Sequence, residues 1–205
     1  MTARTGEDLS GSIPGGPIPW TDAEPIRLAR DLVEVSAFAP GLAYQAPGAL
    51  PDSERSQGGW VGELPLWPFA RNTPPDLQEL LNGQGLRVEI HYPSAYPMVP
   101  PVIYPVDPHP TFEEQTQTAW HVAPGGSLCL LQSDGAWQPD ASLTELLAKA
   151  CGWHVEYALM KAGVIEYMST NGIVSDPGFD DLVGQAVARA RTHQAASGEF
   201  LADAP

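Results

Sequence analysis

Leu86 to Tyr92, LRVEIHY, alternates apolar and polar residues, which puts Leu86, Val88, Ile90 and Tyr92 on one face of a β-strand. PSAYPMVPP follows at once. Its prolines fix φ and remove backbone donors, so the hydrogen-bonded ladder has to end there in a rigid turn. The chain is therefore held to short strands between hard turns. The same punctuation fills Phe38 to Pro75, where GLAYQA and GGWVGELPLW read as short antiparallel strands, and Val102 to Val106 reads as another.

Helical patterns bracket this region. Thr21 or Asp22 can cap a helix through IRLARDLVEV, whose stripe of Ile26, Leu28, Leu32, Val33 and Val35 lies opposite Arg27, Arg30, Asp31 and Glu34. From Ser142 a second pattern places Leu143, Leu146, Leu147, Ala150, Cys151, His154 and Tyr157 near one face, continuing to about Met160. A last helix is expected from Asp180 to Ala195, after the breaker SDPG. Asp107 to Thr118 is a polar insertion. These elements predict an α+β fold: an N-terminal helix, an antiparallel meander of about four strands, and C-terminal helices. Residues 1–19 and 196–205 read as disordered tails around one domain at 20–195.

Composition narrows the function. The 205 residues carry 25 acidic side chains against eight Arg and two Lys, a net charge of −15, which disfavours nucleic acid and anionic membrane as partners. No apolar run has the length of a membrane span, and the start lacks a basic segment followed by an apolar one. The two cysteines, Cys129 and Cys151, show neither CxxC spacing nor zinc-finger partners, so no disulfide framework, metal or cofactor is expected, and a reducing cytoplasm fits best.

Cys129 lies in HVAPGGSLCLLQSDGAWQP, where a glycine turn leads into SLCLL. A cysteine between leucines is more often a small core residue than a nucleophile. Its surroundings favour the nucleophile: Tyr96-Pro97-Met98-Val99-Pro100-Pro101, then Gly126-Ser127-Leu128-Cys129-Leu130, then Trp137-Gln138-Pro139, with Trp eight and Pro ten residues beyond the cysteine. This ordered set resembles the YPxxPP, GxxCL and WxP elements of the ubiquitin-conjugating (UBC) family, over about Leu86 to Tyr157. The resemblance implies the UBC fold and a transferase that accepts a ubiquitin-like protein as a thioester on Cys129 and passes it to a target amine. It implies three partners: a ThiF-like adenylating activating enzyme, the modifier and the target protein. Tyr96, Pro97, Pro100, Pro101, Gly126, Trp137 and Pro139 are then the scaffold of the site.

The chain departs from the family in one place. The family's His-Pro-Asn triplet is absent; its Asn position is His121 and its His position Ala119. His121 can donate a hydrogen bond to an oxyanion, move a proton, or only pin the loop backbone. The departure points toward bacterial members, and antiviral defence is among the roles that brings in. Asp134 and Asp140 are candidates to orient an incoming lysine, although turn or cap duty is the commoner use of such residues. Two rival readings remain: a non-catalytic UBC- or RWD-like binding module, and a Cys/His hydrolase of such conjugates.

Overall fold

In the computed structural model, which describes residues 18–49, 57–131, 136–169 and 172–202, the expected first helix is split in two. α1 spans Trp20–Ala23 and α2 spans Pro25–Phe38. Glu24 between them sits at φ −126°, ψ 57°, outside the helical region, as suits a residue before proline, and Pro25 takes the first helical position, where its missing N–H costs nothing. Thr21 and Asp22 therefore lie inside α1 and cap neither helix. The chain continues through β1 (Leu42–Gln45), β2 (Gly59–Glu63), α3 (Leu77–Leu80), β3 (Arg87–His91) and β4 (Val102–Asp107). α4 (Phe112–Gln115), α5 (Leu143–Lys161), α6 (Gly172–Ser175) and α7 (Asp180–Ala202) complete it.

The four strands form an antiparallel sheet in the order β1-β2-β3-β4. Ile90 of β3 stands between Trp60 and Ile103. Close approach of β2 to β3 requires glycine at position 59, where a Cβ would lie 1.7 Å from the Ile90 carbonyl oxygen. The alternation of LRVEIHY is realised: Leu86, Val88, Ile90 and Tyr92 are all buried, and they share a core with Trp20, Val35, Leu143 and Leu147.

Two expectations are corrected. On α2, Arg27 and Asp31 are buried while Ile26 and Val33 are exposed, because a buried polar network replaces part of the apolar stripe. On α5, all eight residues from Ala150 to Tyr157 are buried, so the helix has no polar face there. A second cluster explains this: Leu77, Leu81, Val155, Ile173 and Val183 bring α3, α6 and α7 over part of α5.

The insertion after β4 is folded. Thr111 Oγ1 accepts from the Glu114 N–H at 3.2 Å, and Glu114 Oε2 accepts from the Thr111 N–H at 2.7 Å, a reciprocal cap on α4. The buried Glu114 carboxylate also accepts from Tyr157 Oη at 2.9 Å and Lys161 Nζ at 2.8 Å, which ties the insertion to α5. At the other end, α7 continues to Ala202 rather than stopping near Ala195, since no proline interrupts residues 196–202. Residues 1–17, expected to form most of the N-terminal tail, lie outside the described residues. Among the described residues no helix is long and apolar enough to cross a membrane.

Candidate active site

The loop carrying Cys129 is a small hairpin held by backbone bonds. Val122 pairs with Leu128 in an isolated antiparallel bridge, and the reversal between them uses Gly126 at φ 85°, a conformation that favours glycine. Within it the Ala123 N–H donates to Ser127 O and the Gly126 N–H to Ala123 O, both at 2.8 Å. Two further bonds fix the cysteine: the Leu128 N–H reaches the Ile103 carbonyl of β4, and the Cys129 N–H reaches the His121 carbonyl, each at 2.8 Å. Leu128 is thereby turned into the core and Cys129 outward, where its side chain is exposed.

The flanking motif residues meet in a hydrogen-bonded network. Arg27 is the junction. Its Nε donates to Tyr96 Oη at 2.7 Å, its Nη1 to the Pro139 carbonyl at 2.8 Å and its Nη2 to the Ala141 carbonyl at 2.7 Å. Asp31, wholly buried, pairs with Arg27 at 3.0 Å and accepts from the Tyr96 and Tyr92 hydroxyls at 2.5 and 3.1 Å. Burial pushes the Asp31 carboxyl above the usual carboxylate range despite these donors. Trp137 Nε1 donates to the Pro97 carbonyl at 2.8 Å. Tyr96, Pro97, Trp137 and Pro139 are thus one hydrogen-bonded scaffold; Pro101 is buried at the entry to β4, and Pro100 precedes it partly exposed.

Cys129 opens onto a cavity of about 540 Å³, whose lining includes His121, Lys149, Trp153, Glu156 and Met168. His121 sits in the left-handed region at φ 49°, closing the 3-10 turn Thr118–Trp120; its carbonyl accepts from the Cys129 N–H, and the residue lines the cavity. Lys149, Trp153 and Glu156 share one face of α5 at spacings of four and three. Lys149 Nζ donates to the Leu130 carbonyl at 3.3 Å. Trp153 Nε1 donates to the Trp120 carbonyl at 2.9 Å. The Glu156 carboxylate, 2% exposed, accepts from the Ser169 N–H at 2.7 Å, the Ser169 hydroxyl at 3.1 Å and the Ile173 N–H at 2.6 Å, and Ser169 and Gly172 line the cavity with it.

The structure therefore brings Cys129 and His121 together and adds Lys149 and Glu156, which sequence reasoning missed. Their shared helical face with Trp153 was readable, but nothing in the sequence showed that it would look at the cysteine loop. Asp140 is exposed and does not line the cavity; its carbonyl accepts from Arg30 Nη1 at 2.8 Å. Asp134 lies outside the described residues. Cys151 is buried in the core, which drives its thiol far upward, and burial lowers His154 to about 4, so that it is neutral near pH 7. Among the described residues no group of His, Cys, Asp and Glu is placed to hold a metal ion.

Partial desolvation also pushes the Cys129 thiol above its ordinary value. A raised pKa leaves less thiolate at neutral pH. Iodoacetamide alkylation of Cys129 should therefore climb about tenfold per pH unit through pH 8 without levelling off, with Cys151 unlabelled in the native protein. A plateau below pH 8 would show a base or cation activating the resting thiol. No protein-family model matches the sequence, and none of the curated proteins compared with it does.

Proposed function

We propose that this chain is a ubiquitin-conjugating-like enzyme of the UBC fold, which accepts a ubiquitin-like modifier as a thioester on Cys129 and transfers it to a target amine. The observation that carries the reading is the exposed Cys129 thiol, fixed by backbone bonds at a cavity, in a chain whose Tyr96 and Pro139 are joined through buried Arg27 and whose Trp137 is bonded to Pro97. An N-terminal helix, a four-stranded antiparallel sheet and C-terminal helices agree with it. The hydrolase alternative calls for a thiol lowered by its histidine, whereas burial raises this one. A pure binding module gives no reason to keep a free thiol in the open.

In loading, Cys129 Sγ attacks the modifier's C-terminal carbonyl, which is held as a thioester on the activating enzyme, and the activating enzyme's thiolate leaves. In transfer, an amine attacks the Cys129 thioester, an oxyanion forms, the C–S bond breaks and an amide remains. His121 lines the same cavity as Cys129, and its imidazole is our candidate donor to that oxyanion. His121→Ala should slow discharge to a free amine by roughly ten- to a thousandfold while affecting loading less, and His121→Asn should recover much of the rate. If His121 is instead a base, Asn will not rescue it. Discharge at the wild-type rate would leave His121 a structural residue of the loop.

The reading itself is tested by incubating the chain with activating enzyme, ATP and modifier, and then with a modifier–target conjugate. A dithiothreitol-sensitive adduct supports the conjugating enzyme. Binding without an adduct favours the module, and cleavage of the conjugate favours the hydrolase.

A further inference from the structure

The chain has only two lysines, Lys149 and Lys161, both on α5. Their settings differ. Lys161 is bound to Glu114 at 2.8 Å and lies against the Trp120 and Tyr157 rings. Lys149 lies twelve residues earlier, about 18 Å along the helix, and is the one amine among the described residues lining the Cys129 cavity. Its Nζ is already anchored to the carbonyl of Leu130, the residue next to Cys129. Lys149 and Cys129 thus line the same cavity, and the amine, at the end of a flexible four-carbon stem, is anchored one residue along the chain from the thiol.

Resting on the proposed function, we infer that Lys149 is a built-in acceptor, through which the charged protein modifies itself. Lys149 Nζ, deprotonated, attacks the thioester carbonyl carbon on Cys129; the new C–N bond forms, the C–S bond breaks, and Cys129 leaves as thiolate. The proton lost from the attacking nitrogen passes to solvent or to the thiolate. No oxidant or cofactor is consumed. The product keeps the acyl chain in the cavity as an amide, frees Cys129, and removes the lysine's positive charge. Effective concentration favours this amine over any amine free in solution, because its position is fixed by the fold.

The test uses the full chain and a synthetic peptide ending in Gly-Gly, activated as its mercaptoethanesulfonate thioester, at neutral pH. It needs no activating enzyme. Peptide mapping should show a dithiothreitol-sensitive adduct on Cys129 that declines as a dithiothreitol-resistant amide on Lys149 rises, with about tenfold or more amide at Lys149 than at Lys161. Lys149→Arg should keep the thioester and lose the amide, Lys161→Arg should match wild type, and Cys129→Ala should lose both products. A stable Cys129 thioester with no Lys149 amide overturns the inference and leaves the conjugating function standing. Amide on Lys149 in Cys129→Ala also overturns it, since acylation is then direct. Failure of the wild-type chain to form any Cys129 adduct counts against the conjugating function and the inference together.

Discussion

Cys129→Ala is expected to abolish modifier loading outright, and Cys129→Ser to collect a dithiothreitol-resistant oxyester, while Cys151→Ala loads at the wild-type rate. The contrast follows from where the two thiols lie. Cys129 is exposed at the cavity rim, whereas Cys151 is buried among the core residues of α5 and its thiol is pushed far upward by desolvation. A buried thiol with so little thiolate cannot attack a protein-bound thioester that cannot reach it. Cys151→Ala removes only a small core group, so a modest loss of stability is compatible with full loading. Loss of loading in a folded Cys151→Ala protein would reverse the assignment.

The second large effect is on stability. Arg27→Met should cost about 3–5 kcal/mol, because it strips the buried Asp31 of its cation and leaves the Pro139 and Ala141 carbonyls without a donor. Denaturant unfolding monitored by tryptophan fluorescence measures it. The loss should depend on pH in a definite direction. Asp31 already titrates above the ordinary carboxylate range, and removing Arg27 moves its folded value higher still. A carboxyl raised on folding adds stability below its unfolded pKa and loses it as pH rises through the folded value, so the variant should be least impaired in acid and most impaired near neutrality. An effect below about 1 kcal/mol at pH 7 would show that the network is ornamental. Because Arg27 links α2 to Pro139, even folded protein should load modifier more slowly.

Much of this architecture was legible. Period-two alternation announced β3 and its buried face, the prolines after Tyr92 announced the end of that strand, and Ser142 announced the start of α5. The spacing of Cys129, Trp137 and Pro139 singled out the loop, and the structure ties Trp137 and Pro139 to the Tyr96–Pro97 turn and Arg27. What stayed hidden was pairing across long separations. Arg27 and Asp31, four residues apart, look like a solvated ion pair on a helix, and only Tyr96 and Pro139, distant in sequence, turn them inward. The burial of Glu156 had no local signal either, because its partners, Ser169 and Ile173, stand 13 and 17 residues further along the chain. One signal was present and unread: Thr111 with Glu114 three residues on is a capping pair, which marks α4 inside the insertion.

The most direct measurement is the intact mass of the wild-type chain after incubation with activating enzyme, ATP and modifier, recorded before and after dithiothreitol and followed by digestion. A gain equal to one modifier less water is expected, confined to the peptide containing Cys129 and removed by the thiol. No gain in mass, or a thiol-sensitive gain that maps to Cys151, would contradict it.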